Sequence, residues 1–167
     1  DNVGDLVVSE EISDRESFKR KWSALEKLVG AEDRVDEIAQ DLVSHFENKI
    51  SVIDGKGMIV AMSRSIAVRL YKSIIKLKPD WHNEDPLKGA IKIIMTGSAS
   101  DTSELQKHIY SKQVKKDIEK RFKNPEDEMK LVIVVDMWLT GFDAPCVHTM
   151  YIDKPIKSHN LMQAIAR

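Results

Sequence analysis

Apolar positions along the chain follow two patterns, and the change from one to the other divides the sequence. Phe18, Trp22, Leu25 and Val29 recur at offsets of 4, 3 and 4, the stripe of an amphipathic helix that Gly30 would stop. Val35, Ile38, Leu42, Val43 and Phe46 repeat the stripe, and Asp33, Asp36 and Glu37 near its start suit the positive end of a helix dipole. Trp22 and Phe46 are accordingly assigned to core packing. After Asp54-Gly55-Lys56-Gly57, which reads as a turn, short continuous apolar runs take over at residues 58–62, 90–95, 131–135 and 149–152. Ser63 is placed to cap a helix whose apolar face is Ile66, Ala67, Leu70, Ile74 and Ile75. Pro79 closes that unit, and residues 81–86 read as a polar loop. Val114, Ile118 and Phe122, four apart, mark a polar helix between the second and third runs. A closing helix is expected from about Ser158 to Arg167.

Continuous apolar strands that alternate with helices imply parallel pairing with both faces covered. The expected fold is therefore an α/β sandwich, with residues 1–52 as a helical lead-in packing on a domain of residues 53–167. The chain's 167 residues suit one ordinary domain, and 42% hydrophobic content allows a sizeable core. Its 26 Lys and Arg against 27 Asp and Glu leave a net charge of -1. That balance excludes a protein holding nucleic acid by bulk charge, but not a local patch. Residues 104–123 carry seven basic against three acidic side chains. A solvated helix face is the ordinary reading of that excess, and a DNA-facing patch the other. A single cysteine, Cys146, excludes a disulfide scaffold, argues against a cysteine zinc site and fits a reducing compartment. The five histidines form no pair at metal-binding spacing. No apolar run reaches the roughly 18 residues of a membrane helix, and the acidic N-terminus lacks signal-peptide order. Starting without Met and ending inside an expected helix, the chain reads as a piece of something longer.

Ligands of an open parallel sheet bind beyond the carboxyl ends of its strands. That rule selects Ser63-Arg64, the loop Thr96-Gly97-Ser98-Ala99-Ser100, residues 136–145, and Asp153-Lys154. Within 136–145, Thr140 offers a hydroxyl, Gly141 a close backbone approach and Asp143 a carboxylate, a set suited to phosphate and ribose or a metal-bound water. An ordinary capped turn would look the same. Gln163 and Arg167, four apart, would share one face of the closing helix, where a guanidinium beside an amide suits a phosphoryl group.

The stretch LVIVVDMWLTGFDAP followed by HTMYIDKPIKSHNLMQAIAR resembles the closing motifs of superfamily 2 helicase-like motors. More narrowly it is similar to the motor (R, restriction) subunit of type I restriction-modification enzymes, where such a loop precedes a strand, a D-K turn and a QAxxR helix. IVAMSRSIAVRLYKSI resembles the first strand of that family's second RecA-like domain, and VDEIAQDLVSHF the segment before it, so the resemblance runs over residues 35–167. It implies a RecA-like parallel sheet sandwiched by helices. It further implies that Ser63, Arg64, Thr96, Gly97, Ser98 and Thr140 lie along DNA, and that Gly141, Asp143, Gln163 and Arg167 face ATP with Mg2+, with Gln163 and Arg167 as the catalytic pair. The implied partners are double-stranded DNA, a first RecA-like domain of the same chain, and methyltransferase and specificity subunits, in a bacterial or archaeal cytoplasm, with no membrane.

The departures set limits. There is no G-x-x-x-x-G-K-S/T loop, no acidic metal-holding motif after a strand, and no acidic nuclease arrangement. The family's further arginine beyond QAxxR would follow Arg167. The expectation is one wall of an ATP cleft and part of a DNA track, inactive by itself. The alternatives are another superfamily 2 helicase or translocase, or a non-catalytic α/β DNA-binding module.

Overall fold

The computed structural model describes residues 16–17, 19–20, 31–50, 55–135, 147–153 and 162–166. The first expected helix, at residues 18–29, otherwise lies outside them. Helix α1 is Glu32–Ile50, strand β1 Lys56–Ala61, helix α2 Arg64–Leu77 and strand β2 Ile91–Ile94. Then come the short helix α3, Ser103–Gln106, helix α4, Lys112–Lys123, and strands β3, Leu131–Val135, β4, Val147–Asp153, and β5, Met162–Ala166. The sheet order is β2-β3-β1-β4-β5. β2, β3, β1 and β4 run parallel, and β5 closes the edge antiparallel to β4.

Side-chain alternation along the strands builds two cores from one sheet. Ile59 and Ala61, Ile91 and Ile93, Leu131 and Ile133 face α1 and α2. Met58, Ile94, Val132 and Val134 face Ile118 and Phe122 of α4. The two crossovers, β1 through α2 to β2 and β2 through α4 to β3, therefore cover opposite faces, the α/β arrangement expected. Helix α1 belongs to the first core: Val35, Ile38, Ala39, Leu42 and Phe46 are all buried there.

Three expectations need correction. Lys56 and Gly57 form the start of β1 rather than a turn, because Gly57 lies where a Cβ would stand 2.8 Å from Leu131 Cδ2 and 3.1 Å from Phe46 Cε2. Trp81 ends a 3-10 turn, Pro79–Trp81, and packs edge-on against Phe46 at 6.1 Å between centroids, so it joins the core instead of a polar loop. The segment expected as the closing helix contains strand β5, with Gln163 opposite Ile152 and Ala166 opposite Thr149. Its residues are good helix formers locally, but pairing supplies the open side of β4 with hydrogen-bond partners, and that non-local gain overrides propensity.

Three cations are buried at the amino edge of the sheet, and each ends on backbone carbonyls. Lys56 Nζ donates to the carbonyls of Arg121 and Asn124. Lys92 Nζ donates to those of Asn83 and Asp85, 2.7 and 3.0 Å away. Arg121 donates to the carbonyls of Pro86, Lys88 and Gly89 and to the Asp127 carboxylate. Burial, helped by the Arg121 charge, pushes the Lys92 ammonium down to about 8. Among the described residues no helix is long and apolar enough to cross a membrane.

Candidate functional site

At the carboxyl edge, β1 gives way to Ser63, whose extended backbone (φ -147°) and hydroxyl cap α2 by accepting the Ile66 N–H at 3.2 Å. Arg64 is thereby fixed as the first residue of α2. Its Nη1 donates to the Thr96 carbonyl at 3.1 Å and to Asp101 at 2.8 Å. β2 delivers Thr96 from the buried Met95 directly into an exposed loop, residues 96–100. The segments Ser63-Arg64 and Thr96-Gly97-Ser98 selected from the sequence therefore meet at one place, the carboxyl ends of two parallel strands.

Asp101, which sequence reasoning passed over, organises that place. Its side chain is only 2% exposed and lies between Arg64 and the loop backbone. One carboxylate oxygen accepts the Ser98 N–H at 2.7 Å. The Asp101 N–H returns to the Ser98 carbonyl at 3.1 Å, and Gln106 Nε2 holds the Asp101 carbonyl. The Ser98 N–H, followed by Arg64, keeps the Asp101 carboxyl below its ordinary value against the opposing effect of burial. Gly97 is required by close approach, since a Cβ would sit 2.7 Å from Ile109 Cγ2. The Ser98 N–H is thus already engaged within the loop. The hydroxyls of Ser98 and Ser100, 3.1 Å apart, remain on the exposed side.

A second constellation sits between α2, the loop after the 3-10 turn and the segment before α4. Tyr71 Oη and His82 Nδ1 are 2.6 Å apart, and the His108 ring meets Tyr71 edge-on at 4.7 Å. With Tyr110, Lys72 and Lys107 they border a cleft of about 460 Å³. Burial, reinforced by the Lys92 charge, pushes the His108 imidazole down to about 4, and burial raises both tyrosines. No sequence spacing links Tyr71, His82 and His108; only the fold does. Among the described residues no group of three or more His, Cys, Asp or Glu could hold a metal ion.

Thr140, Gly141, Asp143 and Arg167 lie outside the described residues, and Gln163 is placed only by its backbone in β5.

The family model for type I restriction enzyme subunit R domain 3 matches residues 78–167. The chain is 62% identical over 142 residues to the type I restriction enzyme HindI endonuclease subunit of Haemophilus influenzae, covering 85% of this chain and 14% of that protein. It is 44% identical over 154 residues to the putative type I restriction enzyme MjaIXP endonuclease subunit of Methanocaldococcus jannaschii, covering 92% of this chain and 14% of that protein. A Staphylococcus aureus type I restriction enzyme endonuclease subunit is 40% identical over 70 residues, which are 42% of this chain and 7% of that one. The chain therefore spans a small part, 14%, of the HindI and MjaIXP subunits.

Proposed function

The chain belongs to the type I restriction enzyme subunit R family, and from that premise we propose that it forms the second RecA-like domain of an ATP-dependent double-stranded DNA translocase. In this reading it is part of the motor subunit of a type I restriction endonuclease, working with methyltransferase and specificity subunits in a bacterial or archaeal cytoplasm. A match to domain 3 leaves room for a nuclease and a first RecA-like domain ahead of it. The single observation that carries the reading is the carboxyl-edge loop, residues 96–100, pinned by Asp101 to Arg64 of the neighbouring unit. A motor must change its grip on a phosphate backbone with each domain closure, and a contact loop has to move as one body with its domain. The Arg64–Asp101 bridge makes this loop such a body.

Ser63, Arg64, Thr96, Gly97, Ser98 and Thr140 are proposed to line the DNA. Within that set the roles would differ. Ser63 acts through its cap on α2, while Arg64 commits Nη1 to the loop and keeps a side chain 31% exposed for a phosphate. Gly141, Asp143, Gln163 and Arg167 are proposed to face ATP with its Mg2+ across a cleft completed by the first RecA-like domain. A guanidinium there would balance the charge that grows on the phosphoryl group during transfer. The chain alone supplies one wall of that cleft and is proposed to be inactive in hydrolysis and in cleavage.

The test is Ser98→Glu in the full-length polypeptide, which sets a carboxylate against the phosphate track from an exposed position. The DNA concentration for half-maximal stimulation of ATP hydrolysis should rise about tenfold, equivalent to roughly 1.4 kcal/mol. An unchanged DNA response would remove this loop from the track.

A further inference from the structure

Charge is distributed unevenly between the two faces of the sheet. Helix α1, on one face, has six acidic and two basic residues, and α4, on the other, has six basic and two acidic. The two faces also differ in how their charges are used. Around α1 and α2, opposite charges pair across elements: Lys78 with Glu47, and Lys72 with Glu104. On α4, Arg121 is buried and Lys123 pairs with Glu119. Lys112, Lys116 and Lys120 have no ion-pair partner among the described residues, and all three are exposed.

Their spacing gives the surface a shape. Residues four apart advance about 6 Å along a helix and keep to one side of it. Lys112, Lys116 and Lys120 therefore form a straight ridge about 12 Å long, opposite the face that Ile118 and Phe122 bury. No apolar or aromatic side chain lies on the ridge, so it offers no anchor of the kind protein interfaces use. Lysine is also depleted from such interfaces, where desolvating its ammonium is costly. A phosphate backbone makes the opposite demand. It wants mobile point charges that remain partly hydrated, and duplex DNA presents one negative charge per roughly 1.7 Å of axis.

We propose that the Lys112–Lys116–Lys120 ridge of α4 is a second DNA-docking surface, separate from the carboxyl-edge loop and engaging the phosphate backbone of the duplex without reading its bases. It rests on the reading that the full-length protein binds DNA. The ridge would hold the duplex by counterion release, a grip that does not depend on nucleotide state and so retains the track while the loop lets go.

The experiment compares the full-length polypeptide with Lys112→Gln/Lys116→Gln/Lys120→Gln, and with a control neutralising Glu32 and Asp36 on α1. Binding to a duplex of random sequence is measured over a salt series. Loss of three phosphate contacts lowers the slope of log K against log salt by about 2.7, and the α1 control leaves it unchanged. An unaltered slope in the triple variant overturns the proposal. So does an unaltered slope with a lower melting temperature, which would assign the ridge to an acidic surface of the same polypeptide. A shift from dimer to monomer in sedimentation would assign it to α1 of a second copy and likewise overturn it. If the unsubstituted protein shows no salt-dependent DNA binding, the DNA-motor reading itself fails, a result distinct from the other three.

Discussion

Asp101 acts on three neighbours with one side chain and one peptide group: its carboxylate accepts hydrogen bonds from the Ser98 N–H and the Arg64 guanidinium, and its carbonyl accepts one from Gln106. None of this is visible in the sequence, where an aspartate after Ser-Ala-Ser reads as one more loop residue. Its partner Arg64 is 37 positions away, and only the meeting of two strand ends makes them neighbours. Ser63 and Thr96 were legible because a polar residue ending a continuous apolar run marks the carboxyl end of a parallel strand. The histidines were legible only as scattered residues. In the fold, burial holds His108 at about 4 against 6.5 for an exposed imidazole. The unfolded chain takes up the proton first as pH falls, so the stability present above 6.5 is lost on the way down to about 4. His108→Asn, which does not titrate, should flatten that loss by up to one proton per molecule. Urea midpoints of both proteins at about pH 7 and about pH 4.5 would check it; parallel losses would mean that another group titrates there.

Among the elements, the parallel strands were the most readable, since a strand buried on both faces has no polar alternation to blur its ends. β3 has the bounds expected of it. β1 was read too short, because glycine beside lysine resembles a turn, whereas Gly57 is where Phe46 and Leu131 close over the strand. Gly57→Val would put methyl groups into that contact and should destabilise the protein by about 1–3 kcal/mol, measured as a shift of the urea midpoint at constant slope. A neutral result would show that Phe46 can swing aside without cost. β5 was misread for a different reason. Met, Gln and Ala favour a helix locally, and the unpaired side of β4 that reorders them lies in another stretch of chain. Propensity has no access to such a partner.

For the molecule as a whole, the sequence suggested a boundary near residue 53, with the preceding residues as a helical lead-in packing on the domain. Val35, Ile38, Leu42 and Phe46 of α1 share one core with Leu70 and Ile74 of α2 and with the inner side chains of β1, β2 and β3. Removing residues 1–52 from the chain would bare that face, so we expect loss of the cooperative thermal transition and binding of a hydrophobic dye. A sharp transition in the shortened chain would show that 53–167 folds without the lead-in. The buried cations Lys56, Lys92 and Arg121 have a consequence of a mechanical kind. Main-chain oxygens that turn inward from loops are often satisfied by buried water. Here covalently tethered ammonium and guanidinium groups occupy those places. The loops at the amino edge are thus tied by groups of the chain itself, and parting them would leave a buried charge without its acceptors.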